Sequence, residues 1–121
     1  MHGHNYVAYL TAWAERLDSC GRIVDFSVLK SKVGGWIEKN WDHGFIYWGK
    51  DKAVADALVA FQRIEVDQKQ YALDTNPTAE NLAAYLLKVV GPMVLEGTGV
   101  QLTEVSVWET ENCYAQAVLG E

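Results

Sequence analysis

The sequence is poor in cysteine: Cys20 and Cys113 are the only two, and they form no recognisable framework. It has no run of about 20 apolar residues that would cross a membrane, and no signal-peptide pattern. A reduced, cytoplasmic setting is therefore the expectation. Basic residues are also few. Ten Lys and Arg against 16 Asp and Glu leave a formal charge of −6, which argues against a nucleic-acid or anionic-membrane surface as the main partner. Internal repeats, low-complexity runs and linkers are absent. What remains is globular in composition, half apolar and 21% charged. At 121 residues the chain is expected to form one domain, residues 1–121, with a real core. Its five tryptophans and six tyrosines suit broad sheet faces or subunit contacts.

Residues 5–17 are rich in aromatic and β-branched side chains and contain neither Pro nor Gly, so they read as a long strand. Asp18-Ser19-Cys20-Gly21 is a turn cluster, and Arg22-Ile23-Val24 resumes extended structure to complete a hairpin. Asp25 stands where a helix N-cap belongs, ahead of Phe26, Leu29, Val33, Trp36, Ile37 and Trp41 at helical spacing. Gly34-Gly35 interrupts this series, at about 1 kcal/mol per glycine relative to alanine. It is either a local weak point or, as slightly favoured, a place of close packing. Residues 45–47 read as a short extended piece, residues 51–61 as a second helix with Val54, Ala57, Leu58 and Phe61 inward, and residues 70–73 as a short strand. Pro77 opens the cleanest helix, with Thr78 as cap, Glu80 in its first turn, and a stripe of Leu82, Tyr85, Leu86, Val89, Val90 and Met93. Residues 101–109 and 113–119 form a closing pair of strands, with Val105 and Val107 on one face. Helices grouped between antiparallel hairpins predict an α+β layer with the helices on one sheet face.

Four segments carry potential chemistry. In extended chain, His2 and His4 point to the same face on either side of Gly3, a chelating pair of zinc-type ligands. Asp42 beside His43 can set the imidazole's tautomer and raise its basicity. Asn76-Pro77-Thr78-Ala79-Glu80-Asn81 presents backbone N–H groups and a hydroxyl at a helix start. Glu109-Thr110-Glu111 ends an otherwise apolar strand with charge. Each also has a plain structural reading, as a frayed terminus, a solvated helix end, simple capping or a solvent-facing strand end.

Taken in order with Gly21-Arg22-Ile23-Val24-Asp25-Phe26, Leu29-Lys30 and Asn5-Tyr6, these segments resemble the 6-pyruvoyl-tetrahydropterin and 6-carboxy-tetrahydropterin synthase family. The resemblance implies a tunnelling fold, an antiparallel sheet backed by helices. Its sheets would close into a barrel in a trimer or hexamer with active sites between subunits. It implies a Zn2+ cofactor with His2 and His4 as two of its three histidines. His43 would be the proton-relay group supported by Asp42, and Glu109 would anchor the guanidine-like edge of the pterin and help the relay. Thr78 and Glu80 would lie in the segment that a neighbouring subunit lends to the pocket. The implied substrate is 7,8-dihydroneopterin triphosphate. The Asn-Pro-Thr-Ala-Glu-Asn segment and the closing Gly120-Glu121 look more like the branch that forms 6-carboxy-tetrahydropterin, on the route to queuosine-type deazapurines, than the pyruvoyl-forming one.

The resemblance is incomplete at one end. The family pattern carries a strand ahead of His-Gly-His that holds the third zinc histidine, and a catalytic cysteine four residues before that motif. Here only Met1 precedes His2. The expectation is a domain without the family's first strand, the late start of a longer enzyme. A short form that borrows ligands from a neighbour is a second account, and a non-catalytic pterin-binding or structural protein is a third. Cys20 is expected to be an exposed turn residue and Cys113 a small buried thiol. A missing first strand would leave an unpaired edge beside residues 5–17.

Overall fold

The computed structural model describes residues 4–22, 25–64 and 67–120. In chain order these form β1 (Val7–Ala14), α1 (Phe26–Leu29), a π-helical segment (Lys30–Gly34), α2 (Gly35–Asn40), β2 (Phe45–Trp48), α3 (Lys52–Arg63) and β3 (Gln70–Leu73). There follow α4 (Ala79–Tyr85), a second π-helical segment (Leu86–Val90), α5 (Gly91–Val94), β4 (Val100–Thr110) and β5 (Cys113–Val118). The chain divides into two compact units, one of residues 1–36 with 78–121 and one of residues 37–77.

The first unit is built on an antiparallel sheet of order β1-β4-β5. Alternation along β4 sends Val105 and Val107 to a buried face, Leu102 is buried on the other side of a register shift at Thr103, and α4 packs against both β4 and β5. The α+β layer read from the sequence is therefore present, with helices packed on the sheet. Val7, Tyr9, Thr11 and Trp13 alternate onto the exposed face of β1. The ladder spans only Val7–Ala14, shorter than the residues 5–17 expected, because Ala14 already pairs with Val100, the first residue of β4. Beyond it no strand among the described residues pairs with the chain. The predicted turn is present: the Asp18 carboxylate accepts from the N–H groups of Cys20 and Arg22, each at 2.9 Å, and Gly21 takes a φ of +79°. The expected return strand falls on Ile23 and Val24, which lie outside the described residues.

Two helices each contain a π-helical turn. A π-helical turn holds an extra residue and so rotates every later side chain about the axis. In the helix capped by Thr78, whose hydroxyl accepts from Asn81 N–H at 3.2 Å, the stripe begins as predicted with Leu82. Within the π-helical segment Leu86, Leu87 and Val90 are buried and Val89 is exposed, as is Met93 beyond it. In the helix capped by Asp25, whose carboxylate accepts from Ser27 N–H at 3.0 Å, Val33 and Trp41 are buried as predicted, while Phe26, in the first turn and ahead of the π-helical segment, is 87% exposed. Gly34-Gly35 makes no close approach there: a Cβ at Gly35 would meet nothing within 4 Å. The glycine pair is the weak point, and the helix widens at it.

In the second unit α3 is capped by Asp51 and buries Leu58, but Ala57, expected inward, is exposed. The short strands β2 and β3 pair in parallel, an arrangement that requires a crossover between them, which α3 supplies.

One close approach tests the core of the first unit. A Cβ at Gly91 would lie 2.8 Å from Leu102 Cδ1 and 3.2 Å from the Leu86 carbonyl oxygen, and Leu102 is itself buried. Gly91→Ala should destabilise the protein by about 1–3 kcal/mol, despite alanine's better helix propensity, in urea denaturation. Combining it with Leu102→Ala should give a loss smaller than the sum of the two.

Candidate active site

The chemistry of the first unit gathers at the end of β4. Pairing of β4 with β5 is regular from Glu104 to Trp108, then shifts, so that Trp108 faces Tyr114 and Thr110 faces Cys113. Glu109 has no partner on β5. It is the extra residue of a β-bulge, a distortion that re-aims a side chain. Strict alternation assigns Glu109 to the same side as Val105 and Val107. Instead Ser106, Trp108, Glu109, Thr110 and Glu111 together line one open cleft of about 940 Å³, with His4, Val7 and Tyr9 across from them. The Trp108 and Tyr114 rings stack at 4.3 Å, and Tyr9 meets Trp108 edge-on at 6.3 Å. Two carboxylates and no lysine or arginine line this cleft. Its charge suits a group rich in N–H donors and opposes a phosphate chain.

The rings of His4 and Tyr6 meet edge-on at 5.7 Å, while the same-face pairing expected of His2 and His4 falls on a residue outside those described. Partial burial pushes the Tyr6 phenol above its usual value, and the Glu109 carboxylate pushes it further in the same direction. Tyr6, which the sequence reading used only as part of a motif, stands next to His4 but is not among the residues lining the cleft. Thr78 and Glu80 do not line the cleft. Within one chain Thr78 is a helix cap. Cys113 is exposed rather than buried, as is Cys20. Cys113 opens β5 opposite Thr110, in the last pair of the β4–β5 ladder.

Asp42 and His43 lie in the second unit, at the end of α2. Trp41 to Gly44 form a tight turn closed by the Gly44 N–H donating to the Trp41 carbonyl at 2.8 Å. His43 occupies its third position with a φ of +56°, the left-handed region such a turn demands there. Histidine tolerates that region better than most residues, at a cost. The imidazole is thereby held out, 91% exposed, with Nδ1 3.2 Å from Asp42 Oδ1. Such contact fixes ring orientation and tautomer. The pairing expected from adjacency is thus present in the fold.

A catalytic zinc normally takes three protein ligands. Among the described residues no three His, Cys, Asp or Glu side chains come together to hold a metal, and His2 lies outside them. The described donors, with His4 as the imidazole of the cleft, do not by themselves fit such a centre.

Comparison with known proteins supplies the family and the fold. The family model for 6-pyruvoyl tetrahydropterin synthase matches residues 1–118. A protein of Rickettsia bellii named 6-carboxy-5,6,7,8-tetrahydropterin synthase is 36% identical over 118 residues, covering 96% of this chain and 81% of its own. One of the same name from Helicobacter pylori is 26% identical over 123 residues, covering all of this chain and 61% of its own. Among solved structures, an uncharacterized protein of Wolinella succinogenes superposes with a TM-score of 0.78 at 21% identity, over 98% of this chain and 78% of that one. That likeness extends to the fold.

Two measurements probe these placements. In a tyrosinate absorbance titration, the signal lost in Tyr6→Phe should have its midpoint above the ordinary value of 10.0. Glu109→Gln should lower that midpoint without restoring it fully, since burial is the larger cause. Because the folded-state value is raised, the stability tied to Tyr6 is fully present below the unfolded value and is lost as pH rises through the folded one. Separately, His43→Gly should relieve the left-handed backbone and raise stability by up to about 1 kcal/mol in denaturant unfolding.

Proposed function

Because the chain belongs to the 6-pyruvoyl tetrahydropterin synthase family, a family of lyases, we propose that it is a 6-carboxy-5,6,7,8-tetrahydropterin synthase. It would take 7,8-dihydroneopterin triphosphate and release acetaldehyde and triphosphate. The observation that carries this reading is the bulge at Glu109, which turns a carboxylate out of the β4 alternation and into a cleft shared with His4. A carboxylate accepting two parallel N–H bonds is a strong, directional match for the guanidine-like edge of a pterin. The acidic lining leaves the triphosphate to project away from Glu109 and Glu111.

Proton movement falls to His43, with Asp42 holding its Nδ1 side and leaving the other ring nitrogen to take and return a proton at the substrate's side chain. Thr78 and Glu80 enter the proposal as groups that a second copy of the chain lends to the pocket. The assembly in question is a homo-oligomer, trimer or hexamer, whose sheets close into a barrel in the tunnelling fold. Supporting it, β1 and β5 are the outer strands of the sheet, and Tyr9, Trp13 and Tyr114 are each more than half exposed. Zn2+ at His2 and His4 belongs to the same proposal, with its ligand set still to be counted. No helix among the described residues is long and apolar enough to cross a membrane.

The deciding experiment is turnover of dihydroneopterin triphosphate with added zinc, reading the pterin product by mass. A 6-carboxy product is expected; a 6-pyruvoyl product would move the assignment to the other branch. Folded protein that binds pterin without converting it would mark a non-catalytic binding protein. Glu109→Gln should weaken pterin binding by about 2–4 kcal/mol, the loss of a charge-assisted bidentate pair. Unchanged binding would remove Glu109 from the site. Metal content measured on His4→Ala should fall below that of the parent protein.

A further inference from the structure

We propose that Lys69, with Gln68 beside it, is a positioning residue for His43, fixing the turn that carries the imidazole and thereby setting kcat rather than substrate affinity. This rests on the reading of His43 as the proton-relay group. The Lys69 ammonium reaches back to the end of α2 and donates to the carbonyl oxygens of Glu38 and Asp42, each at 2.8 Å. The Glu38 carbonyl is one that a helix end leaves without an intrahelical partner, the Asp42 carbonyl belongs to the turn that follows, and a cation there also meets the negative end of the helix dipole. Gln68 Nε2 donates to the His43 carbonyl and to the Lys69 carbonyl, each at 3.1 Å. The Lys69 carbonyl also accepts the Phe45 N–H at 2.8 Å.

Two adjacent side chains, more than 20 residues further along the chain, thus hold the peptide carbonyls on both sides of the His43 α-carbon. With both peptides pinned, φ and ψ of His43 have little freedom, and a left-handed conformation that would otherwise relax is retained. The Asp42 carboxylate then stays beside Nδ1. Gly44 belongs to the same device. A Cβ there would lie 2.9 Å from the Trp41 carbonyl oxygen and 3.2 Å from Lys69 Cδ, so glycine is what lets the lysine stem lie over the turn. The anchoring groups converge on one residue whose ring is almost wholly exposed. Packing has no use for so rigid a turn, but a proton-transfer group does, because small misplacements of such a group carry large rate penalties.

The test compares Lys69→Met, which keeps the stem and removes the donors, with Lys69→Arg, which keeps a cationic donor. In the full chain, Lys69→Met should lower kcat by about ten- to a hundredfold with KM within about twofold, and Lys69→Arg should recover part of the loss. Independently of turnover, the His43 ring resonances should shift or broaden in Lys69→Met. With three histidines in the chain, His43→Ala identifies them. Hydrogen exchange at the Gly44 amide should also quicken.

Unchanged ring resonances and unchanged Gly44 exchange would overturn the proposal, as would a loss carried by KM alone. If the parent protein does not turn over dihydroneopterin triphosphate, the functional reading fails on its own. The ring resonances and the Gly44 amide then still decide the positioning role, one way or the other. Should Lys69→Met not fold, Gln68→Ala, which releases the His43 carbonyl and leaves the Lys69 ammonium on Glu38 and Asp42, is read against the same signals.

Discussion

Strand β4 is the constraint on which the first unit depends. It is hydrogen-bonded on both sides, to β1 and to β5, and its inner residues Leu102, Val105 and Val107 are buried. A one-residue slip would send these side chains to the exposed face and bring Ser106 and Trp108 inward. Register is therefore held by burial, and the two irregularities in the ladder stand out against it. One sits at Thr103, which β1 skips between Thr11 and Ala12. There the backbone C=O of Thr103 accepts from Leu119 N–H at 2.8 Å, and its hydroxyl donates to the Thr11 carbonyl at 3.3 Å. The other sits at Glu109. Both insert a residue without disturbing the buried valines, and the second produces the chemistry of the cleft.

Glu109 illustrates how a sheet can place a charge without burying it. On regular alternation it would share the face of Val107, where an ionised carboxylate would face a large desolvation cost. The bulge turns it to the open side, beside Trp108 and opposite His4. Its field reaches Tyr6, whose phenol is held neutral to higher pH. A neutral phenol near a carboxylate and an imidazole is a donor that persists across the physiological range.

In the second unit the same end is met by different means. His43 gains its outward direction from a left-handed backbone rather than from a sheet, and the polar anchors from Gln68 and Lys69 hold that backbone where packing does not. Parallel pairing of β2 with β3 brings the N-terminal end of β3, and with it Gln68 and Lys69, beside the start of β2. The crossover through α3 is thus what places these two side chains on the turn.

Sequence alone determined the helix starts, because capping is local. Asp25, Asp51 and Thr78 each bind backbone within three residues. It determined the buried valines of β4 by alternation, the Asp42–His43 pair by adjacency, and the family by the order of its motifs. Tertiary structure decided the rest, for reasons of range. Strand β1 ends where β4 supplies no further partner, and a π-helical turn bears on which side chains of the helix capped by Thr78 are buried. The direction of Glu109 depends on a residue count across two strands. The anchoring of His43 joins residues more than 20 positions apart. None of these is written in any local pattern, since each depends on which backbone groups meet only after the chain has folded.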